Sequence, residues 1–124
     1  MMFEIKFRIL HKGCWMQNIH KRFKGKFVSH ITFSLDKKST SDIVHVLNNN
    51  NKEFKDIISY FKHNRQIKKL DFLYQDDKNL YLQIYTNLAK TKSIIGIITK
   101  FGGYVQKPII IDKGWEIWKQ ISLV

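Results

Sequence analysis

The stretch Phe3-Glu4-Ile5-Lys6-Phe7-Arg8-Ile9-Leu10-His11-Lys12-Gly13-Cys14-Trp15 contains the change of period on which the reading of the fold turns. Phe3, Ile5, Phe7 and Ile9 alternate with Glu4, Lys6 and Arg8. That period of two marks a half-buried strand over residues 2–10. From Trp15 the period lengthens. Trp15, Ile19 and Phe23 fall at i, i+4 and i+8, one side of a short helix over residues 14–23. Gly13 permits a tight corner between the two, and Gly25 suits a helix C-terminal cap.

The same two periods recur downstream. Residues 27–35 alternate, with Phe27, Ser29, Ile31, Phe33 and Leu35 expected on one face and Val28, His30, Thr32 and Ser34 on the other. A polar turn is expected over residues 36–41, then a return strand over 43–47. Asn48 to Asn51 reads as a loop that caps a second helix, with Glu53 in its first turn where the helix dipole favours an acid. Phe54, Ile57, Ile58 and Phe61 give that helix its apolar face, and His63-Asn64 ends it. Residues 66–75 and 79–86 form a hairpin about Asp76-Asp77-Lys78-Asn79. A third helix is expected over residues 88–101, stopped by Gly102-Gly103. Two last strands, 104–111 and 115–123, meet at Asp112-Lys113-Gly114. Pro108 requires its strand to lie at an edge or to leave the proline side unpaired. The order β-α-β-β-α-β-β-α-β-β predicts an α+β domain of the ferredoxin-like or ACT-like class, an antiparallel sheet with helices on one face. A βαββ pattern recurs over residues 2–47 and 79–123, a hint of pseudo-duplication.

Composition bounds what such a chain can do. With 124 residues, one domain over 1–124 can bury a core. A hydrophobic share of 44% argues for a folded globule. No apolar run reaches the length of a membrane helix, and the N-terminus lacks a signal-peptide centre, so a cytoplasmic location with no membrane partner is expected. The single cysteine cannot form an internal disulfide. The formal net charge of +12 favours polyanions. Lys6, Arg8, Lys12, Lys21, Arg22, Lys24 and Lys26 face only Glu4 in the first 26 residues. With Tyr81 and Tyr85 on the outer face of a strand, they compose a candidate nucleic-acid surface of cations and stacking rings. The competing reading is a set of solvated lysines, with the tyrosines paired to Tyr74 across the hairpin.

His11 and Cys14 are the first candidates for chemistry, since imidazole and thiolate bind soft metals. No second cysteine exists, and His20, His30, His45 and His63 can join them only through the fold. No cofactor is therefore expected, with a metal at His11 and Cys14 the secondary reading. The simpler account packs Cys14 and Trp15 inward at the helix start. Catalytic motifs are absent, and an enzyme is not expected. Trp15, Trp115 and Trp118, with Tyr104 and Phe101, line either a ligand pocket or an ordinary core.

Two motifs carry a family resemblance. A first strand followed by His11-Lys12-Gly13-Cys14-Trp15 resembles the N-terminal sensor or regulatory region of archaeal transcription regulators of the bacterio-opsin-activator type. The run Pro108-Ile109-Ile110-Ile111-Asp112-Lys113-Gly114-Trp115-Glu116-Ile117-Trp118 is similar to that family's closing proline strand, Asp-x-Gly turn and acidic-x-Trp strand. The resemblance implies a regulatory, ligand-sensing module that normally precedes a DNA-binding helix-turn-helix. It implies action by self-association, as a homodimer, or through DNA or a transcription-related partner. No helix-turn-helix is read within the chain, which ends at Val124 where one would begin, so a stand-alone relative and a truncated piece are both open. A basic nucleic-acid-binding protein is the alternative reading, and a thiol enzyme a distant third.

Overall fold

The computed structural model describes residues 1–10, 18–19, 21–34, 39–48, 51–87, 98 and 100–123. Seven strands and one ten-residue helix are described: β1 (Met2–Ile9), β2 (Lys26–Ser34), β3 (Ser39–Leu47), α1 (Glu53–Lys62), β4 (Ile67–Gln75), β5 (Asn79–Asn87), β6 (Gly103–Asp112) and β7 (Trp115–Leu123). All seven strands join one sheet in the order β1-β7-β6-β2-β3-β5-β4. Every neighbouring pair is antiparallel.

This corrects the expected ferredoxin-like or ACT-like α+β class with several helices on one face. The architecture is a long antiparallel sheet with one described helix. The physical reason lies in the connections. β2–β3, β4–β5 and β6–β7 are each consecutive and antiparallel, so hairpin closure supplies half of the six strand pairings. The remaining contacts, β1 on β7, β6 on β2 and β3 on β5, dock these hairpins side by side. Period-two segments show that strands exist, but not which hairpins will dock. The helices expected over 14–23 and 88–101 lie mostly outside the described residues; Asn18, Ile19, Ile98 and Lys100 are helical.

The core lies between α1 and one face of the sheet. Phe54, Ile57 and Phe61 of α1 are fully buried against Phe27, Val44, Val46, Leu80, Leu82 and Ile84. Each such side chain contributes about 2 kcal/mol by leaving water. Ile19 and Phe23 complete this layer, on the spacing expected of a short helix. α1 ends at His63, whose backbone N–H bonds back to the Ser59 carbonyl. Its N-cap position is Lys52, with no side-chain cap, in place of the expected asparagine; Glu53 and Asp56 supply the acidic first turn.

Two irregularities reshape the middle of the sheet. The β2–β3 register shifts between Ser29 and Ile31. A bulge inserts one residue and moves the next side chain to the other face. Ile31 and Phe33 are therefore 44% and 48% exposed, and Thr32 takes the face expected for Ile31. The second irregularity is in β6, where pairing to β7 breaks between Gln106 and Ile110. Pro108 sits in this interruption, between neighbours on both sides but outside either ladder.

Candidate functional site

Arg22 is held by one short turn. The N–H groups of Lys21, Arg22 and Phe23 donate to the carbonyls of Asn18 and Ile19. Asn48 then ties this segment to α1, donating from its amide to the Lys24 carbonyl at 2.6 Å and to a Glu53 carboxylate oxygen at 2.7 Å. Phe23 is buried and meets Tyr60 edge to face, with ring centroids 5.8 Å apart. The Arg22 guanidinium lies over Tyr60 at 5.5 Å and over Phe23 at 5.8 Å, a cation–π arrangement.

The turn after α1 supplies the opposite wall. Asn64 accepts the Gln66 N–H on its side-chain oxygen at 2.9 Å, and its carbonyl accepts the Ile67 N–H. This Asx turn sets Arg65 at its apex. His63 Nδ1 lies 2.8 Å from the Ser59 carbonyl oxygen. A carbonyl only accepts, so Nδ1 carries the proton and Nε2 is the outward atom. Between these walls lies an open cavity of about 680 Å³, lined by Arg22, Arg65, His63, Asp56, Ser59 and Tyr60 among others. Two guanidinium groups face one carboxylate there, so an anion is favoured over a cation.

A second polar constellation lies at the seam between β2 and β6, with Ser29 and Asp42 buried and Thr32 and Lys107 half-buried. These strands pair only from Phe27↔Ile111 to Ser29↔Ile109. Where the ladder stops, Lys107 Nζ donates to the hydroxyls of Ser29 at 3.1 Å and Thr32 at 2.5 Å. Both hydroxyls donate to Asp42 Oδ1. Burial pushes Asp42 up, against the Thr32 hydroxyl, the Lys107 charge and the Ser29 hydroxyl. Burial pushes Lys107 down, against the attraction of Asp42 and Glu116. Glu116, on the same face of β7, is raised to about 7 by burial, with Trp118 and Lys107 pulling the other way. The seam is thus a screened ionic network that replaces missing backbone pairing with side-chain bonds.

The opposite face of the sheet carries a row of rings across four strands. His30 stacks on His45 at 5.6 Å, His45 on Tyr81 at 4.1 Å and 6°, and Tyr81 meets Tyr74 at 6.3 Å. His45 Nε2 also bonds to the Asn79 side-chain oxygen at 2.8 Å. Burial lowers the pKa of His30, aided by His45 and Lys107, so this row favours neutral imidazole there.

A family model described as HVO_2525_N, N-terminal, matches residues 4–122, nearly the whole chain. The chain belongs to the HVO_2525_N family. This is a family of archaeal proteins. No curated protein and no solved structure matches the chain.

The HVO_2525_N fold distributes the residues singled out by sequence. His11, Lys12, Cys14 and Trp15 lie outside the described residues. Trp115 and Trp118 do not converge. Trp118 is buried on the α1 side and stacks with Phe7 at 6.2 Å, whereas Trp115 is on the other face under the Arg8 guanidinium at 5.0 Å. Among the described residues no group of three or more His, Cys, Asp or Glu could hold a metal. None of the described helices is long and apolar enough to cross a membrane.

The basic residues of the first 26 positions are split as well. Lys6 and Arg8 are exposed on edge strand β1, opposite in face to the groove at Arg22, with Lys21 and Lys24 its exposed chain neighbours. Lys26 opens β2. Tyr81 is stacked on His45, and Lys69 lies over Tyr85 at 5.1 Å. Sequence reasoning missed Asp56, Tyr60 and Arg65 as site residues. The signal was present in part: Asp56, Ser59, Tyr60 and His63 repeat at i, i+3, i+4 and i+7 on the side of α1 away from its apolar stripe.

Proposed function

We propose that this domain is a regulatory, ligand-sensing module related to the archaeal transcription regulators of the bacterio-opsin-activator type, acting by self-association or through a partner. The observation that carries this reading is the cationic groove beside α1. Its volume falls in the range of small-molecule sites, about 300–1,000 Å³. Its walls come from three segments: the turn at Arg22, the exposed face of α1 and the turn at Arg65. A ligand that bridges them favours the arrangement in which they are close, which is how binding shifts a conformational population.

The alternative of a nucleic-acid surface on the sheet finds less support. The Tyr81 ring is already stacked against His45, and the Tyr85 ring lies beneath Lys69. A base would have to displace these contacts to stack.

A thermal-shift screen of small organic anions, nucleotides, amino acids and metal ions tests the sensing reading. At least one compound should raise Tm in a saturable way by linkage. The shift should shrink in Arg22→Gln at the same ligand concentration. A screen with no saturable shift in any class would overturn the reading.

A further inference from the structure

The groove has two chemically different ends, and that asymmetry restricts its occupant. Asp56, Ser59, Tyr60 and His63 share one face of α1, so a carboxylate, a hydroxyl, a phenol ring and an imidazole follow one another along it. At 1.5 Å rise per residue, Asp56 and His63 are separated by about 10 Å along the helix axis. Arg65 joins His63 at one end, and Arg22 reaches over Tyr60 from the facing turn. Guanidinium groups match phosphoryl oxygens with paired N–H donors. Asp56, at the other end, repels a second anionic group but accepts hydrogen bonds from hydroxyl or amino groups. Between the ends, Tyr60 offers an aromatic floor, backed by the buried Phe23 and covered by the Arg22 guanidinium.

We infer that the groove binds a nucleoside phosphate, with the phosphoryl group on Arg65 and on Arg22, whose exposed guanidinium is drawn off Tyr60 by the phosphoryl charge and leaves that ring to the base, and with a sugar hydroxyl or exocyclic amine on Asp56. His63, tied back by its Nδ1 bond to Ser59, donates from Nε2 to the phosphoryl end only as the imidazolium, in which both ring nitrogens carry protons. This inference rests on the ligand-sensing reading of the same groove. Inorganic phosphate would use only the cationic end, and a free nucleoside only the floor and Asp56. Full occupancy requires both parts in one molecule.

Isothermal titration of the full chain with the four nucleoside monophosphates, adenosine, inorganic phosphate and a single-stranded oligonucleotide tests this. At least one monophosphate should bind about tenfold or more tighter than either adenosine or phosphate. Arg65→Gln and Arg22→Gln should each weaken it by about tenfold, the worth of one charge-assisted contact. Asp56→Asn should weaken the monophosphate while leaving inorganic phosphate unchanged or tighter. Lys21→Gln, beside the groove but not lining it, should bind as the parent does, and thermal melts confirm that each variant is folded. Monophosphates that bind no better than phosphate overturn the inference. So does an oligonucleotide that binds with steep salt dependence while monophosphates do not. If another class of compound binds and Arg22→Gln weakens it, the nucleotide assignment falls and the sensing reading stands. If nothing in any class binds, both fall.

Discussion

The two halves of the sheet treat the same face differently. Under α1, strands β2, β3 and β5 present Phe27, Val44, Val46, Leu80, Leu82 and Ile84, all essentially inaccessible. Across β6, β7 and β1, that face carries Lys107, Glu116 and Trp118, then Phe3 and Ile5, which are 47% and 48% exposed. One half is an apolar layer closed by a helix. The other mixes buried charge with half-open apolar positions. The polar network of Asp42, Thr32, Ser29 and Lys107 marks the boundary, where the β2–β6 ladder ends after three pairs. Strand alternation assigns a residue to a face, but the element that covers the face decides what that position is worth.

The largest effect should come from truncating the closed half. Phe61→Ala removes a fully buried ring from between α1 and the sheet and should cost about 3–5 kcal/mol. Ile5→Ala, on the same face at the open edge, removes a side chain that is already half in water and should cost less than about 1 kcal/mol. Urea denaturation of the two variants measures the contrast. Equal losses would mean that the two halves are closed to the same degree, and the comparison would fail.

Much of this contrast was legible in local patterns, and the reason it stopped there is physical. The apolar stripe of α1 at Phe54, Ile57 and Phe61 shows directly in the spacing, and so do the seven strand segments, except that β3 begins at Ser39, inside the polar stretch expected to be a turn. The pairing order does not show, because β1 could dock its period-two pattern on any free edge. Nor does the bulge at His30, which arises from pairing and exposes Ile31 and Phe33. The proline at 108 did signal an interrupted ladder, since a missing N–H is a local property. At the groove, Arg22 was singled out for its charge and His63 as the helix end and a possible ligand, but Asp56 carried no signal of its own. Only the Asx turn at Asn64 brings Arg65 to their face of α1. Asp42, Lys107 and Glu116 carry no local signal of their network, because the burial of the two acids and their approach to Lys107 depend on three separate strands meeting.

The next effect concerns the buried charge of the open half and has a definite sign. Glu116 rises from its ordinary 4.5 to about 7 in the folded protein. Between those values the folded state holds a proton that the unfolded state has lost, so stability falls as pH rises through this window. Above pH 7 the loss is complete, and the displacement corresponds to about 3 kcal/mol. Glu116→Gln copies the neutral acid without its proton. It should match the parent near pH 4.5 and exceed it by about 2–3 kcal/mol at pH 8, with most of the parent's slope removed between. Chemical denaturation at stepped pH reads this directly. A parent and variant whose stabilities run parallel from pH 5 to pH 8 would show that Glu116 is not held protonated by burial.

The smallest effect compares a hairpin turn from each half of the sheet. The β4–β5 turn is organised by a side chain. Asp76 accepts the N–H groups of Lys78 at 2.9 Å and Asn79 at 2.8 Å, and these bonds hold its carboxyl below the usual range. The β6–β7 turn is organised by the backbone instead. Lys113 and Gly114, at φ of 51° and 85°, connect the pair Asp112↔Trp115. Two consecutive residues with positive φ make a type I′ turn, whose twist matches that of an antiparallel pair. Glycine adopts such an angle freely, whereas a Cβ is pressed toward the neighbouring carbonyl. Gly114→Ala should therefore cost about 1 kcal/mol, and Gly114→Asn less, because asparagine tolerates the left-handed region. Acidification, by contrast, should loosen the β4–β5 turn as Asp76 gains its proton. If Gly114→Ala is as stable as the parent, the β6–β7 hairpin is held by its strand pairing and not by its turn.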